Sequence, residues 1–223
     1  MDSLLATVIP LSLGAIVSPT VLAAVVLVLS MPVAPRARAW AMVFGATAAL
    51  VALTVAAPYA AQAMRSVNPL TMHWVDVAFG VVLLGLALRA GLRKHDATHT
   101  AKHKAPAEDS TKRPRLPEFA LFGIALLATD LSSTVLYLAA LKAIGDSHLP
   151  DVQQLAVVAI PFFAVLAPAI VPTFLSTVAP KKSDALLKKV AAWTGAHSKA
   201  ITVTICVVFG VWLLAKGLPP LLH

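Results

Sequence analysis

A single cysteine, Cys206, among 223 residues excludes an intramolecular disulfide and any two-cysteine electron relay. Charge is also scarce: Asp, Glu, Lys and Arg make up 13% of the chain, too little to cover a water-soluble globule. No nucleophile elbow, phosphate-binding glycine loop or metalloprotease His spacing occurs, so nothing supports an enzyme or a bound cofactor. Acidic residues are the rarer sign, 10 against 18 basic, leaving a net charge of +8. In a soluble protein that excess would suggest nucleic acid; here it reads as membrane sidedness and contact with anionic headgroups, and no nucleic-acid partner is implied. The N-terminus lacks the basic stretch of a secretory signal, so the first apolar run is expected to be a retained helix.

What the chain has is apolar length. Hydrophobic residues make up 59% of it, and the mean hydropathy is +0.84, which marks an integral membrane protein. A membrane-spanning helix takes about 20 residues, so the chain accommodates about six. Apolar runs place them at 4–31, 39–64, 71–88, 119–141, 152–178 and 201–215. The expected class is all-α, because in lipid a span must satisfy its backbone amides internally. The first and fifth runs exceed one straight crossing and carry prolines, Pro10 and Pro19 in one and Pro161, Pro168 and Pro172 in the other, so both are expected to be kinked or broken. Fifteen of the Lys and Arg residues fall in alternate connections and three on the other side, which puts those connections in the cytoplasm and both termini outside.

Two phrases recur. Ser18-Pro19-Thr20-Val21-Leu22 is echoed by Ser132-Ser133-Thr134-Val135-Leu136, and Phe79-Gly80-Val81 by Phe209-Gly210-Val211. An odd number of crossings separates each phrase from its echo, so a duplication would make two inverted three-helix repeats, residues 1–90 and 118–223. A polar, basic stretch at 91–117 reads as a flexible cytoplasmic linker between them. Within the second repeat, residues near 182–195 alternate apolar and Lys positions as a short amphipathic helix on the membrane surface would.

Asp130 is the one acid deep in a span, with eleven uncharged residues on either side. Insertion scales put its cost there at about 2.5–3.5 kcal/mol, so it needs a polar cavity, a partner or a proton. It is the candidate for proton coupling; the plainer alternative is an acid that bonds a neighbouring Ser or Thr and only holds the bundle together. Ser18, Thr20, Ser132, Ser133 and Thr134 fall at about the same depth and would line a substrate path, with Pro19 leaving carbonyls for neighbouring hydroxyls to satisfy. They could equally serve as packing contacts. Pro161, Pro168 and Pro172 would make the fifth helix either a gate or a statically bent element. His95, His99 and His103, four residues apart, sit in the polar linker, and no metal site is assigned to them. Gly80, Gly85, Gly210 and Gly217 suit close helix approach, and the helices that bear them could also pair two chains into a homodimer.

The opening Leu11-Ser12-Leu13-Gly14-Ala15 with Ser18-Pro19, the Pro35-Arg36-Ala37-Arg38 loop and Phe44-Gly45 resemble the lysine-exporter superfamily of six-helix carriers. Gln154-Leu155-Ala156-Val157-Val158, Ala179-Pro180-Lys181-Lys182, the Trp193 connection and Gly210 with Gly217-Leu218 are most similar to its mycobacterial glycolipid-addressing proteins, Gap and Sap. The resemblance implies an inner-membrane protein that takes part in moving lipids or glycolipids toward the cell envelope. A thiol carrier of the same superfamily needs cysteines in its first and fourth helices, which this chain lacks. Two other readings stay open: an exporter of small cations or amino acids, with Asp130 as counter-ion, and a non-transporting accessory protein bound to a large lipid synthase or transporter.

Overall fold

The computed structural model describes residues 2–16, 18–67, 71–92, 116–147 and 149–218, and all of its regular elements are helices. They are α1 (Asp2–Ile16), α2 (Pro19–Leu29), α3 (Pro35–Val67), α4 (Thr71–Leu92), α5 (Leu116–Thr129), α6 (Leu131–Gly145), α7 (Asp151–Val178) and α8 (Pro180–Gly217). Four of these, α3, α4, α7 and α8, are long and apolar enough to cross a membrane. The count rises to six if each bent pair, α1 with α2 and α5 with α6, forms one span. Large apolar side chains such as Phe44, Tyr59, Phe163 and Phe174 point outward and stay exposed, a surface suited to lipid and not to water.

The passes alternate in direction. At one end of the bundle Val8 of α1, Ile144 of α6 and Val157 of α7 form a small buried cluster. At the opposite end Arg38 of α3 is fully buried and lies 5.3 Å from the ring centroid of Phe119 of α5. There too Trp40 Nε1 of α3 donates to Thr177 Oγ1 of α7 at 3.2 Å.

Two helix pairs are drawn together by glycine. A Cβ on Gly45 would collide with the backbone of Ala120, and one on Gly123 with Met42 O, so α3 and α5 touch backbone to backbone. A Cβ on Gly80 would stand 2.9 Å from Gly210 O, and one on Gly210 3.2 Å from Gly80 O, so α4 and α8 cross where their echoed phrases meet. The close approach expected of Gly80 and Gly210 is therefore made within one chain. Gly85 has nothing within 4 Å and is not a packing contact here.

Three other expectations change. The stretch 182–195 is not a separate short helix but the beginning of α8, which runs unbroken for 38 residues. Its helical register continues because no Pro or helix-ending connection interrupts 181–217. The linker is shorter than 91–117, since α4 continues to Leu92 and α5 begins at Leu116. Residues 93–115, with His95, His99 and His103, lie outside the described residues. The fifth run, despite Pro161, Pro168 and Pro172, is one continuous helix, α7, whereas the fourth, which has no proline near its middle, is broken.

Candidate functional site

The first run divides where Pro19 dictates. Proline has no N–H to give to the carbonyl four residues back, so it belongs at the first position of a helix and not in its middle. α1 accordingly stops at Ile16, and α2 starts at Pro19 with a bend of 43°. Ser18 is its N-cap, with extended backbone and Oγ accepting from Val21 N at 3.3 Å. The acceptor that residue 19 would have served, Ala15 O, is taken instead by Ser133 Oγ of α6, at 3.4 Å.

The break at Asp130 follows the same pattern without a proline. α5 ends at Thr129, α6 begins at Leu131, and the pair bends by 74°. Leu127 O, which Leu131 N–H would meet in a continuous helix, accepts Thr134 Oγ1 at 3.0 Å. Asp130 sits at the N-cap position but does not cap. Its carboxylate turns across to the other break, where Ser18 Oγ donates to Oδ2 at 2.6 Å, and Ser132 Oγ donates to Oδ1 at 3.0 Å. Asp130 is 7% exposed and Ser18 4%. The N-termini of α2 and α6, each a positive dipole end, thus flank one buried acid. Among the described residues the acid makes no ion pair, so two hydroxyls and two helix ends carry its stabilisation.

A family model described as Sap, sulfolipid-1-addressing protein, matches residues 8–219. The chain belongs to that family. No curated protein and no solved structure matches it. Membership fits a membrane protein with a lipid-related function, and the match covers both breaks and both echoed phrases of this Sap-family chain.

Of the residues expected to act in the Sap-family chain, Ser18, Pro19, Asp130, Ser132, Ser133 and Thr134 converge on one place, about midway along both bent pairs. Thr20 is half-buried on the first turn of α2 and bonds to none of them. Of the prolines of α7, Pro161 and Pro172 are buried and Pro168 half-buried, in a helix that packs on α1, α2 and α3.

A second polar group was not anticipated from the sequence. Lys142 Nζ of α6 lies 2.6 Å from Asp76 Oδ2 of α4 and 3.3 Å from Asp146 Oδ2. Asp76 and Lys142 were separately legible, one five residues into the third run and the other just past the fourth. Their common depth was the available signal: a third run that enters from the side where the fourth leaves brings both charges to the same level. Beside them α3, α4, α6 and α7 line a half-open cleft of about 610 Å³, walled by Ala57, Pro58, Phe79, Leu138 and Val158 with Lys142 and Gln154 among its polar groups.

Proposed function

We propose that this chain is a transporter of the cytoplasmic membrane that takes part in exporting lipids or glycolipids toward the cell envelope, working by alternating access around Asp130. The observation that carries the reading is the Ser18 to Asp130 hydrogen bond, which ties two helix breaks to each other in a buried place. Broken helices that meet midway along their spans are where carriers of inverted-repeat design hold substrate.

In this reading six spans form two inverted three-helix repeats, with both termini outside and the Arg38 end of the bundle in the cytoplasm. The crossing of Phe79-Gly80-Val81 with Phe209-Gly210-Val211 is what a pseudo-two-fold axis between α4 and α8 would produce. The close α3–α5 contact at Gly45 and Gly123 would then lie in the cytoplasmic half and the cleft beside Lys142 in the outer half. Protonation of Asp130 would remove one acceptor from a site built of donors and weaken its hold on Ser18. Each bent pair could then reorient about its break, with Ser132, Ser133, Thr134 and Thr20 offering hydroxyls to the substrate. α7, carrying Pro161, Pro168 and Pro172, is the gate in this scheme, because it touches both halves of the first bent pair as well as α3 and α6.

The test is the ratio of surface-extractable to total glycolipid in cells lacking the gene, complemented at equal expression with wild type or Asp130→Asn. Asparagine keeps the shape and can still accept from Ser18, so loss of surface lipid with a normally folded variant assigns the acid to transport. Full rescue by Asp130→Asn leaves the acid as a structural tie and overturns the coupling. An unchanged ratio in the deletion strain overturns lipid export itself.

A further inference from the structure

The cleft beside Lys142 has an inner end. On the four helices that line it, the lining residues nearest the middle of the bundle are Thr54 on α3, Phe79 on α4, Leu138 on α6 and Val158 on α7. Behind that floor Tyr137 of α6 is fully buried, and its hydroxyl is hydrogen-bonded to Thr54 Oγ1. Proton count fixes the direction of this bond. Thr54 gives its one proton to Leu50 O at 2.7 Å, so Tyr137 donates and Thr54 accepts. Leu50, one turn further in on α3, is fully buried in the same core cluster as Tyr137. Past Tyr137 lies the polar site. Residues four apart on a helix stand one above the other, so the turn of α6 beneath Tyr137 presents Ser133, which is buried and donates to Ala15 O at the first break. Asp130 is one turn further, about 10 Å along α6 from Tyr137.

We infer that Tyr137, held by Thr54, is the seal between the cleft and the site at the two breaks, closed in this conformation and opening the cleft floor onto Ser133 and Asp130 when the tyrosine ring leaves. The inference rests on the transport reading above and names the residues that part cleft from site in it. Release costs a single bond between helices: Thr54 keeps its bond to Leu50 O within α3, and water from the cleft can replace Tyr137 at Thr54 Oγ1. Closure is just as specific, because a buried tyrosine hydroxyl needs a partner and Thr54 meets that need only when the ring is in place.

The test reads access to the site and not transport. Ser133→Cys is made in a Cys206→Ala chain and reconstituted in phosphatidylcholine nanodiscs, where both faces meet a membrane-impermeant methanethiosulfonate cation, and the rate of modification is followed by mass spectrometry. Leu138→Cys on the cleft floor should react readily, and Ser133→Cys far more slowly. Thr54→Val removes the acceptor and strands a buried hydroxyl, so it should speed modification of Ser133→Cys about tenfold. Thr54→Ser keeps the acceptor and should leave the rate as it was. Adding Tyr137→Phe to Thr54→Val makes both sides apolar and should bring the rate most of the way back, as expected of two groups that act through one bond. Val25→Cys, fully buried in the second core cluster, should stay unreactive in every variant. Ser133→Cys reacting as fast as Leu138→Cys, a rate unmoved by Thr54→Val, equal speeding by Thr54→Ser, a double variant as fast as Thr54→Val, or equal speeding at Val25→Cys, the mark of a loosened fold, each overturns the seal. Full lipid export by Asp130→Asn overturns the coupling instead and leaves these thiol rates as they stand, so the two failures are told apart.

Discussion

Ser18 performs two tasks with one oxygen: it accepts from Val21 N as the cap of α2 and donates to Asp130 across the bundle. Alanine at this position removes the cap and leaves a buried carboxylate oxygen without its shorter hydrogen bond. The expected cost of Ser18→Ala is about 1–3 kcal/mol, read as a lower melting temperature in detergent, whereas Ser132→Ala, at a half-buried position with a longer bond, should cost less. Lys142 is asymmetric in a different way. Asp76→Asn leaves the ammonium paired with Asp146, but Lys142→Met leaves Asp76 buried with no cation among the described residues. Breaking a buried pair from one side costs about 3–5 kcal/mol, so Lys142→Met should be much the more destabilising, and the double variant Asp76→Asn with Lys142→Met should recover most of the loss in thermal unfolding. Asp130 could be singled out from the sequence because an acid between two uncharged runs has no bland environment in lipid. Its partner across the bundle was legible only as one of several hydroxyls at the same depth, since Ser18 is 112 positions away.

At the scale of the element, what a proline does depends on where the chain can still hydrogen-bond. Pro19 terminates one helix and starts another because Ser133 stands ready to satisfy Ala15 O. Pro161, Pro168 and Pro172 do not divide α7, so of the kink or break that the same residue-level rule led one to expect there, the break does not occur. The fourth run breaks instead at an acid, where Thr134 Oγ1 takes the Leu127 carbonyl that a continuous helix would have used and two serines hold the carboxylate. The echo with Ser18-Pro19-Thr20 was the only local trace of that break. The glycines separate into two kinds that can be told apart by substitution. Gly45→Ala and Gly123→Ala force α3 away from α5 and should lower the yield of folded protein and its melting temperature together. Gly85→Ala meets open space in a helix and should be neutral or stabilising by up to about 1 kcal/mol, a contrast measured in the same unfolding experiment.

For the whole molecule the decisive measurement is sidedness. Cys206 is fully buried, so the wild-type chain should be silent to a membrane-impermeant thiol reagent and supply a clean background. With the Arg38 end inside, Gln153→Cys at the start of α7 should label in intact cells, and Lys189→Cys on α8 only after the membrane is opened; the reverse pattern would invert the topology. Membrane class, the positions of the apolar runs and the alternation of basic connections were determined by the sequence alone, because hydropathy and charge act residue by residue against a slab of fixed thickness. The tertiary structure alone decided which breaks meet, that Lys142 pairs with Asp76, and that Gly80 and Gly210 face each other within the chain. Those are contacts between segments far apart in sequence, set by shape and by the need of each buried polar group for a partner, and neither requirement leaves a mark in the local order of residues.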